Sequence, residues 1–90
     1  MLHVIVYDIA NPRRLNRVAL ICEDFGRRVE KSVFECDLDK ENHDRLWRRL
    51  WNVIDESEDM IVDYPVGHSE LSKIVAVGVD RHEHTGVCVF

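Results

Sequence analysis

The chain has 90 residues, 46% hydrophobic and 32% charged, with 12 Lys+Arg against 17 Asp+Glu and a formal net charge of −5. That balance belongs to a globular protein, fits one domain over residues 1–90, and excludes a protein that coats nucleic acid by bulk charge alone. No apolar run reaches the roughly 18 residues of a membrane span, and Asp8 breaks the N-terminal apolar stretch, so neither a membrane segment nor a signal peptide is expected.

Leu2 to Tyr7 is a short apolar, β-branched run ending in Asp8, the pattern of a buried central strand. Asn11-Pro12 then supplies an N-cap and a first helical residue, and Leu15, Val18, Ala19, Cys22 and Phe25 follow helical spacing. Gly26 stops that helix, predicted over about residues 12–25. From Arg28 to Leu38 the pattern is strand-like, but its phase changes. Val29 and Val33 are odd, whereas Phe34, Cys36 and Leu38 are even, so a bulge or sharp bend is expected near Ser32–Phe34. A second helix, roughly residues 40–56, begins at a cap near Asp39 and carries Leu46, Trp47, Leu50, Trp51 and Ile54 as its apolar stripe. Both tryptophans are therefore expected in the core, opposite a wet face of Arg45, Arg48, Arg49 and Asn52. Met60 to Tyr64 is a strand that Pro65 stops, and Val-rich strands follow at Lys73–Val79 and Gly86–Phe90. The expected architecture is an α+β sheet with two helices on one face. Its other face and one edge are left for a second copy, an efficient remedy for a chain of this size.

Asp8 is the first candidate for chemistry. A carboxylate closing a strand just before a helix stands where open α/β sheets place ligands, and it suits Mg²⁺, which takes one or two carboxylates and keeps its waters. The same residue equally suits an Asx turn over Ile9–Pro12. One carboxylate is a poor metal site, but two chains meeting near Asp8 would make a credible one, able to activate water and polarise a phosphoryl oxygen.

The basic residues are unevenly placed: ten against nine acidic through Leu50, then two against eight. Arg13, Arg14 and Arg17 share a helix face at spacings suited to phosphate oxygens, or to plain solvation. Arg28 and Lys31, with Arg27, flank the second strand and extend the phosphate track. His82 and His84 read as a loop rather than a metal pair. The three cysteines lack a Cys-x-x-Cys spacing and read as packing residues in a reducing cytoplasm.

Val4-Ile-Val-Tyr-Asp-Ile9, the Arg-containing helix closed by Gly26, and Arg28-Val-Glu-Lys-Ser-Val-Phe-Glu35 together resemble the small CRISPR-associated protein of the spacer-acquisition complex. The resemblance covers essentially the whole chain, with Glu30 where that family commonly has Gln. It implies a ferredoxin-like homodimer whose extra C-terminal strand crosses to the other subunit. It also implies a metal-dependent endonuclease acting on RNA or DNA and bridging copies of a larger integrase subunit. Carried over by position, Asp8 is the catalytic residue and the Mg²⁺ (or Mn²⁺) ligand. Tyr7, Arg14, Arg17, Arg28, Ser32 and Phe34 line the surrounding surface. A second reading keeps the dimer and drops catalysis, leaving a double-stranded DNA-binding docking platform with a structural Asp8. A third, apart from the resemblance, is a small regulator that binds a metabolite at a dimer interface.

Overall fold

The computed structural model describes residues 1–77 together with a short strand at 88–89. The elements run β1 (Leu2–Asp8), α1 (Pro12–Phe25), β2 (Arg27–Glu30), β3 (Val33–Asp37), α2 (Lys40–Trp51), β4 (Met60–Val66), α3 (His68–Leu71), β5 (Val75–Ala76) and β6 (Cys88–Val89). The first helix occupies the predicted span. Asn11 caps it by accepting from the backbone N–H groups of Arg13 and Arg14, and Pro12 begins it without an orphaned N–H.

The phase slip between Arg28 and Leu38 proves to be a hairpin. Lys31 and Ser32 turn the chain between β2 and β3, and the ladder register shifts between Arg28 and Glu30. The main sheet therefore has four strands in the order β2-β3-β1-β4, with every neighbouring pair antiparallel. β3 lies between β1 and β2, and β1 between β3 and β4. Each helix thus crosses over a single intervening strand, which is the ferredoxin-like topology.

Both helices pack on one face. On β1 the odd residues face them, and Ile5 and Tyr7 join Phe34 and Cys36 of β3, Val18, Ile21 and Cys22 of α1, and Leu46 and Leu50 of α2 in one cluster. Phe34, Ile5, Leu46, Leu50 and Val18 are fully buried, and each contributes about 1.5–3 kcal/mol through area removed from water. Burial also pushes the Cys22 thiol up to about 12 and the Cys36 thiol up to about 11, so both are inert packing residues, as expected.

Four details differ from the sequence reading. β4 does not stop at Pro65 but continues to Val66, because it is an edge strand where a missing N–H is tolerated. The second helix begins at the Asp39 cap but ends at Trp51, since Asp55 draws the chain into its own turn by accepting from the Ser57 backbone N–H and hydroxyl. Trp51 is exposed rather than core, while the half-buried Trp47 points its indole at Asp63. The short α3 lies in a segment with no predicted element. Among the described residues, the predicted C-terminal strands are represented by β5 and β6, which pair in parallel as a separate small sheet. His82 and His84 lie outside the described residues. Among the described residues, no helix is long and apolar enough to cross a membrane.

Candidate metal and phosphate site

Asp8 is the last residue of β1. Alternation along the strand sends His3, Ile5 and Tyr7 to the helices and Val4, Val6 and Asp8 to the opposite face. On that face Val6 lies between Val33 and Val62, Val4 sits beside Tyr64, and Asp8 is opposite Met60. Met60 and Tyr64 are 53% and 54% exposed, which makes this a largely apolar surface with Glu35 beside Val4 and the Asp8 carboxylate at its end.

The Asx-turn reading of Asp8 does not hold, because other residues close the turn that follows it. Asn11 caps α1, and the Ala10 backbone N–H donates to Asp59 Oδ1 at 3.0 Å. Among the described residues the exposed Asp8 carboxylate has no hydrogen-bond or ion-pair partner.

Arg14 departs from the expected role. Its Nε donates to Asp59 Oδ2 at 2.8 Å, and its Nη2 donates to Glu58 at 2.8 Å and to Asp59 Oδ1 at 3.2 Å. Asp59 has no exposed side-chain surface and also accepts from the Asp55 backbone N–H. This pair ties the first turn of α1 to the start of β4 and so fixes both chain segments that flank Asp8. In this structure the Arg14 guanidinium is therefore engaged in holding the platform. The Arg14 guanidinium keeps the Asp59 carboxyl well below the usual carboxylate range. A native pKa below the unfolded value, about 3.9, adds stability above that pH and loses it as pH falls through the folded value. Urea denaturation is expected to show wild-type stability declining below about pH 4, whereas Asp59→Asn is weaker at neutral pH and declines less in that window.

The hairpin tip is held at the same end of the sheet. The Tyr7 backbone N–H donates to the Ser32 carbonyl at 3.1 Å, and the Tyr7 hydroxyl donates to the Lys31 carbonyl at 3.2 Å. Tyr7 stacks on Phe34, and the Arg28 guanidinium lies 5.2 Å from the Phe34 ring centroid. Burial pushes the Tyr7 hydroxyl pKa up, against a hydrogen bond with Arg28 that lowers it. Tyr7 and Phe34 are thus core residues that shape the site from beneath and do not line its surface, since they are 3% and 0% exposed. Arg13, Arg28 and Lys31 are exposed. Arg17 is exposed too, but it borders the groove between the helices with Leu20, Arg49 and Val53. The structure brings Asp8, Lys31 and Ser32 to one end of the sheet and sets Arg17 on the helical layer.

Sequence reasoning passed over Asp59 and a cluster on the helical side of the sheet. There Asp63 Oδ1 meets His3 Nδ1 at 2.8 Å, and Oδ2 meets His43 Nε2 at 2.5 Å and accepts from Trp47 Nε1 at 2.9 Å. The available signal was two polar residues, His3 and Asp63, inside otherwise apolar strands.

A ferredoxin-like chain with an unengaged carboxylate at the end of its central strand and a basic hairpin beside it is, by class, a small α+β protein with a candidate metal and phosphate site. Residues 1–74 match the family described as CRISPR associated protein Cas2, and the chain belongs to that family. A relative from Moorella thermoacetica, named CRISPR-associated endoribonuclease Cas2 1, is 38% identical over 82 residues, 86% of this chain and 85% of the relative. Another from Halalkalibacterium halodurans, named CRISPR-associated endonuclease Cas2, is 35% identical over 87% of this chain and 86% of its own. Among solved structures, Streptococcus pyogenes Cas2 superposes with a TM-score of 0.77 at 34% identity, covering 87% of this chain and 100% of that one.

Proposed function

We propose that the chain is a metal-dependent nuclease of CRISPR spacer acquisition, active as a homodimer that bridges integrase subunits. The observation that carries this reading is the unengaged Asp8 carboxylate on an apolar sheet face. A second copy laid on that face covers Val4, Val6, Val62, Met60 and Tyr64 and brings a second Asp8 to the same region. A carboxylate from each chain suits Mg²⁺ or Mn²⁺, which bind through one or two carboxylates and keep several waters. When bound, such an ion lowers the pKa of a coordinated water and polarises a phosphoryl oxygen.

The chain's own residues do the rest. Asp8 holds the ion at the strand end. Arg28 and Lys31 grip phosphates on the hairpin side and Arg13 on the helix side, while Arg17 extends the contact along α1. Tyr7 and Phe34 hold the hairpin in place, and the Arg14–Asp59 pair fixes the segments on either side of Asp8. The relatives' names, endoribonuclease and endonuclease, support RNA as a substrate, and DNA is tested beside it.

The test is cleavage of labelled RNA and DNA by the full chain with Mg²⁺ or Mn²⁺, and its loss on chelation. A chain that binds duplex but cleaves nothing with any divalent ion is the docking platform instead. Binding is also expected to depend on salt through the exposed arginines. Arg28→Ala and Arg13→Ala should each flatten the log affinity against log salt slope by about one unit, whereas Arg14→Ala should lower the melting temperature instead. An unchanged slope in Arg28→Ala would place that residue outside the phosphate track.

A further inference from the structure

We propose that His3, His43 and Asp63 form a second metal site, selective for Zn²⁺-class transition ions over Mg²⁺ and separate from Asp8. The three residues come from β1, the first turns of α2, and β4. They lie on the helical side of the sheet, because His3 shares its side of β1 with Ile5 and Tyr7 and not with Asp8. One ligand atom from each, a nitrogen from either imidazole and a carboxylate oxygen, falls within 4.8 Å of the other two.

The donor set argues for the ion class. Two imidazoles and one carboxylate suit Zn²⁺, Ni²⁺, Co²⁺ and Cu²⁺, whereas Mg²⁺ demands oxygen ligands. The imidazole rings stack with centroids 4.1 Å apart and planes 21° apart, so both present a nitrogen edge toward the same carboxylate. Zinc sits about 2.0–2.2 Å from nitrogen and oxygen donors, which in a tetrahedron places the donors about 3.3–3.6 Å apart, so a pair as wide as 4.8 Å must close by roughly 1.3 Å. His43 supplies that movement, being more open than His3: its side chain is 28% exposed, against 10% for His3 and 15% for Asp63. The partly open His43 side is also the entry path, and water completes the tetrahedron.

Two further features fit a metal cradle. The Trp47 indole N–H fixes Asp63 Oδ2 at 2.9 Å, the kind of outer contact that orients a ligating carboxylate. Burial pushes the Asp63 carboxyl pKa up, but hydrogen bonds from His43, Trp47 and His3 outweigh it and keep the group ionised. On binding, each coordinating nitrogen must be unprotonated, so the neutral imidazoles carry their proton on the other ring nitrogen.

The experiment is isothermal titration of the metal-stripped full chain with ZnCl₂ and, separately, MgCl₂, joined by Co²⁺ absorption spectroscopy and thermal melting. The expected result is about one tight Zn²⁺ per chain, a tetrahedral Co²⁺ visible band, and a rise in melting temperature with Zn²⁺ that Mg²⁺ does not reproduce. His43→Gln, a change at a partly exposed helical position, should weaken Zn²⁺ at least tenfold and erase the band while the circular dichroism stays native. Asp8→Asn and the double variant His82→Gln/His84→Gln should retain both signals. The inference is overturned if Zn²⁺ binds no better than Mg²⁺, if His43→Gln binds it as wild type does, or if the His82/His84 variant loses it.

Discussion

Asp8→Asn is expected to reduce metal-dependent cleavage to the level of the chelated wild type while the chain folds and dimerises normally. The change keeps the shape of the side chain and removes its charge. Holding a divalent ion at a phosphoryl group is worth several kcal/mol, and each 1.36 kcal/mol is tenfold in rate, so a loss of at least about 100-fold follows. The fold should not notice. The Asp8 side chain is exposed and engages no described residue, and the turn after it is closed by Asn11 and Asp59. Surface changes of this kind usually fall within about 0.5 kcal/mol. Single-turnover cleavage of RNA and DNA with and without chelator, beside a thermal melt, separates the two effects. Undiminished cleavage by Asp8→Asn would remove the catalytic assignment. Unchanged duplex affinity in a variant that no longer cleaves would show that phosphate binding and metal binding are carried by different residues.

Local chemistry was legible in the sequence where it was complete within a few residues. Asn11, Pro12 and Gly26 bound α1 because capping and termination are settled by neighbours along the chain. Asp8 was legible for the same reason: a charge closing an apolar run marks its own position. The β2–β3 hairpin was not, because Lys31-Ser32 lacks the Asn-Gly or Asp-Gly signal of a tight turn and left only a change of phase. Residues whose partners are distant in sequence were the hardest. Helical spacing put Arg14 on a face with Arg17 but carried no information about what lies opposite, and Asp59 and Glu58 arrive from more than 40 residues away. The His3–Asp63 contact spans 60 residues and joins two strands whose adjacency exists only once the sheet is ordered. Trp51 followed the apolar stripe on paper and is solvent-facing because the helix ends there, before another element can cover it.

Gly26→Ala is expected to unfold the chain or nearly so, although nothing in the backbone angle forbids alanine. Gly26 has an extended φ of −167°, a conformation any residue adopts, so its need for glycine comes from space and not from handedness. A Cβ there would lie 2.5 Å from Cys36 Sγ and 2.9 Å from Cys36 Cα, and closer still to the Glu35 carbonyl oxygen. Two of those three atoms are backbone of β3, and Glu35 is paired with both Arg27 and Val4, so the strand cannot retreat without opening the sheet on both sides. Ordinary overpacking costs about 1–3 kcal/mol, and a clash with fixed backbone belongs at or above the top of that range. A domain of this size melts roughly 4–8 °C lower for each kcal/mol, so a fall of at least about 10 °C is expected. Gly67→Ala is the internal comparison, because nothing lies within 4 Å of a Cβ at that position. It should melt within a few degrees of wild type or slightly above, through a stiffer unfolded chain. Circular dichroism melts of the two variants decide the matter, and equal melting temperatures would mean the α1–β3 junction can relax. Because that junction leads directly into β2, the same substitution should also release Arg28 and the hairpin tip from the end of the sheet that carries Asp8. Phosphate binding should then be lost together with stability, whereas Asp8→Asn separates the two.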